Sequence, residues 1–74
     1  MMTIEEFIEE LIDILELDEK NITLHSQISL DSLQAMSIIA FLDNAFSKKT
    51  NADALNQVTC IHDILILAGE ENIQ

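Results

Sequence analysis

Apolar side chains at Ile4, Phe7, Ile8, Leu11, Ile12 and Leu15 recur at three- and four-residue spacing. That rhythm commits the start of this chain to an amphipathic helix with one apolar face. Thr3 and Glu6 fit a capping box, in which a hydroxyl and a carboxylate each satisfy a free backbone N–H. Glu5, Glu6, Glu9, Glu10, Asp13 and Glu16 cover the other faces, the first two suiting the positive helix end. Glu5/Glu9, Glu6/Glu10 and Glu9/Asp13 are like-charge pairs four residues apart and oppose the helix at low ionic strength. Stability is therefore expected to rise with added salt or divalent cations. A melting temperature that stays flat across a salt titration would refute this.

The remaining segments offer further helices to cover that face. From Asp18 to Asp31 the periodicity fails. Asn21, Thr23, Ser26, Gln27 and Ser29 favour turns and caps there, while Ile22, Leu24, Ile28 and Leu30 can tack the segment onto a core. A loop this long in a small domain is often functional. Helical patterning resumes at Ser32 and runs to about Phe46, followed by a polar break over Ser47 to Asn51. Ala52 to Gln57 suits a short helical turn. Thr59 is placed to cap a last helix over Ile61 to Ala68, with Gly69 as its stop. No strand alternation, internal repeat or linker is visible. The expected fold is all-α: a small bundle of three main helices and one short helix, with a long loop between the first and second.

At 74 residues the chain reads as a single domain, 1–74, and 49% apolar residues allow a modest core. The lone Cys60 forms no internal disulfide, and no Cys/His pattern resembles a zinc site, so a cytoplasmic setting is the plain expectation. No metal site is expected. The acidic stretch at Asp18 and Glu19 lacks the alternating ligands and central glycine of a calcium loop. The longest apolar runs, Ile38–Leu42 and Ile64–Ala68, are far shorter than the ~20 residues of a membrane span. No basic start followed by an apolar stretch marks a signal peptide. The net charge of -11 sets fourteen carboxylates against Lys20, Lys48 and Lys49. Nucleic acid and anionic lipid are thereby disfavoured, and basic protein surfaces are favoured.

The string Ile28-Ser29-Leu30-Asp31-Ser32-Leu33 ends the polar loop and opens the second helix. A serine there stands on a structured edge, open to solvent, with no base beside it in sequence. Such a residue is better suited to being modified by another enzyme than to doing chemistry itself. Asp31-Ser32-Leu33, the acidic first helix, the long loop, the apolar second helix and the closing Val58-Thr59-Cys60-Ile61-His62-Asp63-Ile64 together resemble acyl carrier proteins and related peptidyl carrier domains. The resemblance runs over essentially the whole chain, although a three-residue match alone would be weak. It implies the acyl-carrier type of four-helix bundle, with a 4'-phosphopantetheine arm attached to Ser32 and with Asp31 and Leu33 flanking it. Acyl or aminoacyl cargo would ride on that arm as a thioester. A phosphopantetheinyl transferase, together with loading and transferring enzymes, would be the partners of a monomeric, non-catalytic carrier. The simpler alternative for Asp31 and Ser32 is an ordinary helix cap.

Two positions depart from the family pattern. Ser29 stands where many members have glycine, so any turn requiring positive φ would be strained. The outward positions of the second helix, read as Gln34, Ser37, Ala40, Phe41, Asp43 and Asn44, carry a single carboxylate where fatty-acid carriers are strongly acidic. The first five of these form the expected partner-binding face. Its near-neutrality points to a dedicated biosynthetic pathway, against the alternative of an ordinary fatty-acid carrier that has drifted.

Met36, Ile38, Leu42 and Phe46 are expected in the core, and Ile39, Ala40 and Phe41 cannot all join them there. Val58, Ile61 and Leu65 are expected either to contact an acyl chain or simply to fill the bundle. His25 and His62 stand apart from any nucleophile in sequence and read as surface or capping residues, and Cys60 as a small residue near a helix start. No paired acid and base, metal set or phosphate loop suggests an enzyme. The rival to a carrier is an unmodified acidic helical module that binds a basic protein.

Overall fold

Thr3 opens the first helix, α1 (Ile4–Leu15), by the expected reciprocal cap. Its hydroxyl accepts from the Glu6 N–H at 3.1 Å, and Glu6 Oε1 accepts from the Thr3 N–H at 3.1 Å. The Thr3 N–H, and after it the Thr3 hydroxyl, which also donates to Glu6 Oε1 at 3.1 Å, hold the Glu6 carboxyl below its ordinary range. The computed structural model describes residues 2–17 and 22–74. The expectations for Asp18, Glu19, Lys20 and Asn21 lie outside the described residues.

Three more helices follow: α2 (Ser32–Phe46), α3 (Ala52–Asn56) and α4 (Ile61–Ala68), then a 3-10 turn over Glu70–Asn72. The chain is thus an all-α bundle of three main helices and one short one, with the long connection between α1 and α2. Its radius of gyration of 11.0 Å equals the roughly 11 Å of a compact domain of this length. Among the described residues no helix is long and apolar enough to cross a membrane.

The core is assembled from one face of each helix. Phe7 and Leu11 of α1, Ile38 and Leu42 of α2, Leu55 of α3, and Ile61 and Ile64 of α4 are fully buried. Each such side chain contributes about 1.5–3 kcal/mol by leaving water. Phe7 meets Phe41 and Phe46 with ring centroids 6.1 and 6.2 Å apart, and Phe41 meets Phe46 edge-on at 5.8 Å. These distances suit favourable aromatic pairing and lock α1 against the second half of α2. Phe41 is therefore half-buried in an aromatic cluster, not on the outward face expected of it.

Met36 moves the other way. Expected in the core, it is 66% exposed, and Leu33 is 73% exposed. The core-facing arc of α2 is set by Ala35, Ile38 and Leu42. At roughly 100° per residue, Met36 stands about 120° round the helix from Leu42, and Leu33 stands opposite it. The exposed stripe is Leu33, Met36, Ser37, Ala40, Asp43 and Asn44.

The connection before α2 is tied down at several points. Ile22, Leu24, Ile28 and Leu30 are half-buried against the core. The Ile28 N–H donates to the Thr59 carbonyl at 2.9 Å, and the His62 N–H donates to the Leu24 carbonyl at 2.8 Å. Thr23 and Ser26 close a local turn through Thr23 N–H to Ser26 Oγ at 2.9 Å. Ser29 is not in the left-handed region. Among the described residues positive φ occurs at Glu16, Ser47 and Gly69, which are helix C-caps. The strain anticipated at Ser29 does not arise.

The start of α4 differs from expectation by one residue. Cys60, not Thr59, is the N-cap. Asp63, one turn in, reaches back to accept from the Thr59 N–H and hydroxyl, both at 2.9 Å, and from the Cys60 N–H at 3.3 Å. Thr59 is thus a donor to the carboxylate and not the cap, and these donors hold the Asp63 pKa below the ordinary value, the Thr59 N–H foremost. A depressed carboxyl pKa stabilises the fold above the unfolded-state value, and that stabilisation is lost as pH falls through the folded-state value. Asp63→Asn is accordingly expected to melt earlier than wild type at neutral pH, with the gap closing below about pH 4. Melting curves differing equally at pH 7 and pH 2 would contradict this.

Candidate functional site

Ser32 is the first residue of α2 and is exposed. Asp31, its N-cap, accepts from the Gln34 N–H at 2.7 Å, and Gln34 Oε1 accepts from the Asp31 N–H at 3.1 Å. This reciprocal cap fixes the helix entry immediately beside the serine. It also corrects the reading of Gln34: the side chain is partly buried and committed to the cap, so it does not project freely toward a partner. The alternative reading of the pair as a cap holds for Asp31 alone, because Ser32 sits inside the helix and makes no cap bond.

The local electrostatics follow from helix geometry. The N–H groups at the start of a helix lack partners within it. The box takes up those of Asp31 and Gln34, while those of Ser32 and Leu33 stay outside it. A phosphate ester on Ser32 Oγ would lie beside these two donors at the positive end of a 15-residue helix. Among the described residues nothing hydrogen-bonds the serine hydroxyl.

A groove of about 360 Å³ lies along the chain just ahead of this serine, lined by Ile28, Ser29, Leu30, Leu55, Val58 and Thr59 among others. Polar and aliphatic residues share its lining. Neither the protein-family models, nor the curated proteins, nor the solved structures contain a match to this chain.

The expected acyl-contact residues do not gather around one space. Val58 borders the groove just described, Ile61 is fully buried in the core, and Leu65 is buried beside a separate depression lined by Ile4, Leu24 and His62. The expected partner face is brought together only in part. Ser37, Ala40 and Asp43 share the exposed side of α2, while Gln34 and Phe41 turn away from it. Asp43 carries one long ion pair, Lys49 Nζ lying 3.9 Å from its carboxylate.

Met36 and Leu33 complete that face, Met36 standing there and not in the core that its apolar spacing suggests. A helical projection centred on Ala35, Ile38 and Leu42 places it outside. The fold also brings His25 and His62 within 6.2 Å, ring centroid to ring centroid, across the junction of the loop with α4. Cys60 is a half-buried free thiol. Among the described residues no group of three or more His, Cys, Asp or Glu side chains converges on a common point.

Proposed function

We infer that the chain is a carrier protein: Ser32 receives a 4'-phosphopantetheine arm, and acyl or aminoacyl cargo passes between partner enzymes on it. The observation that carries this reading is the exposed Ser32 at the first position of α2, beside a cap that leaves its own N–H and that of Leu33 uncommitted. In the modification, Ser32 Oγ attacks the pantetheine-bearing phosphorus of coenzyme A. The bond from that phosphorus to the bridging oxygen breaks, the nucleotide portion leaves, and the serine proton passes to a base on the transferase. The resulting phosphodiester is an anion, and the start of α2 favours one. The bound arm supplies a terminal thiol that holds cargo as a thioester.

Asp31 contributes by fixing the helix entry and by presenting a carboxylate next to the acceptor oxygen, where it can meet the transferase or its metal-bound substrate. The groove ahead of Ser32 gives the arm a place to lie between visits to partners. The near-neutral face of α2, with Asp43 its single carboxylate, favours enzymes of a dedicated pathway over those that recognise a strongly acidic carrier. Incubation with coenzyme A and a broad-specificity phosphopantetheinyl transferase is expected to raise the intact mass by one phosphopantetheine group. A folded wild-type chain that gains no mass would leave the acidic interaction module as the better account.

A further inference from the structure

His25 and His62 are the two histidines of the chain, and thirty-seven positions separate them. The fold nonetheless sets their rings 6.2 Å apart, centre to centre, with a tilt of 33°. The carrier chemistry uses neither ring. The backbone beneath them is held from both sides. The His62 N–H donates to the Leu24 carbonyl at 2.8 Å, the Ile28 N–H donates to the Thr59 carbonyl at 2.9 Å, and Gln27 bridges Cys60. The His25 N–H donates to Thr23 Oγ1 at 3.2 Å, which ties His25 into the local turn. Rings carried on two fixed segments lose little freedom when one ligand joins them.

Their spacing suits a metal ion. Two imidazoles on one zinc ion, with bonds of about 2.0–2.1 Å and each nitrogen about 1.1 Å from its ring centre, have centres about 5.2 Å apart at the tetrahedral angle and at most about 6.4 Å apart. The observed 6.2 Å lies inside that limit. His25 is exposed, so a side-chain rotation can close the remaining distance of about 1 Å. The surroundings draw cations in: Glu70 borders the same depression as His62, and the whole chain carries -11. Carboxylates attract any divalent cation, whereas imidazole selects zinc, nickel or copper over magnesium and calcium.

We propose that His25 and His62 form a two-imidazole site for a divalent transition-metal ion of the zinc class, which staples the loop ahead of Ser32 to α4. Among the described residues no third His, Cys, Asp or Glu converges with the pair, so water completes the coordination shell. The site stands whether or not Ser32 is modified.

The test titrates zinc chloride into the intact chain at about pH 7.5, where protons compete little for the ring nitrogens. The chain has no Trp or Tyr, which leaves the imidazole C–H resonances easy to follow by proton NMR. Both rings are expected to shift together and to saturate at one ion per chain, while magnesium at the same concentration leaves them in place. His25→Ala and His62→Ala should each weaken zinc binding at least about tenfold, since even removing a group behind a ligand costs that much. Neither side chain belongs to the buried core, so both variants keep the fold, which circular dichroism verifies. Cys60→Ser should bind as wild type does. Zinc at about a hundred times its Kd should raise the melting temperature by about 10 °C. An equal rise in the double variant His25→Ala/His62→Ala gives the ion to the carboxylates and overturns the site. Movement of one ring alone, unchanged affinity in either single variant, or loss of binding in Cys60→Ser overturns it as well.

Discussion

Phe7→Ala is expected to remove most of the stability of this protein. Phe7 is completely buried and is the hub of the aromatic cluster with Phe41 and Phe46. Truncating a buried phenylalanine costs about 3–5 kcal/mol, through lost transfer energy and the cavity left behind. A domain of this length has roughly 4–11 kcal/mol in total. The variant should therefore be largely unfolded or have a urea midpoint lowered by about 2 M or more, read by circular dichroism. Phe46→Ala, at a half-buried position on the edge of the same cluster, should lose less. A Phe7→Ala midpoint within about 0.5 M of wild type would mean that α1 and α2 are not held together by these rings.

The largest functional effect is expected from the removal of a single hydroxyl. Ser32→Ala should abolish arm attachment outright while leaving stability within about 0.5 kcal/mol of wild type, because the side chain is exposed and takes no part in the cap. Ser29→Ala, on the loop, should accept the arm as wild type does. Peptide mapping of the modified chain distinguishes the two serines. Attachment in Ser32→Ala, or its loss in Ser29→Ala alone, would move the acceptor to another residue.

How much of this was legible in the sequence differs from helix to helix, for a physical reason. In α1 the carboxylates interleave with the apolar residues, so the buried face and the Thr3–Glu6 cap could both be read directly. The limits of α2 were equally clear, Asp31 before it and a polar break after Phe46, but its faces were not. Between Leu33 and Phe46 apolar residues occur all round the helix, and spacing alone does not choose which third meets the core. Met36 and Phe41 were consequently exchanged. Deciding between them takes tertiary packing, namely the ring of Phe7 that draws Phe41 inward.

The position of the candidate site was legible because it depends on local chemistry, a helix start with a serine at its first position. Its details were less so. Gln34 looked free because a glutamine on a helix surface has no obvious task, whereas here it completes the box with Asp31. Thr59 looked like the better cap for α4, yet Cys60 takes that position and Asp63 reaches back from inside the helix to accept from Thr59 and Cys60. The proximity of His25 and His62 depends on the loop folding back onto α4, which no local pattern encodes.

The pairing of the two chain ends gives the molecule two unlike poles. Met2 bridges Ile73, the Ile4 N–H donates to the Gln74 carbonyl, and the Gln74 N–H returns to the Met2 carbonyl. Met2 and Asn72 border the same depression as Ala45 and Phe46, so these ends lie by the last turn of α2. Ser32 lies at its first. The helix between them has 15 residues and, at roughly 1.5 Å per residue, is about 22 Å long. Whatever is fused or tethered to either terminus therefore emerges at the far pole. A surface anchor or a fluorescent fusion there leaves the serine pole unobstructed.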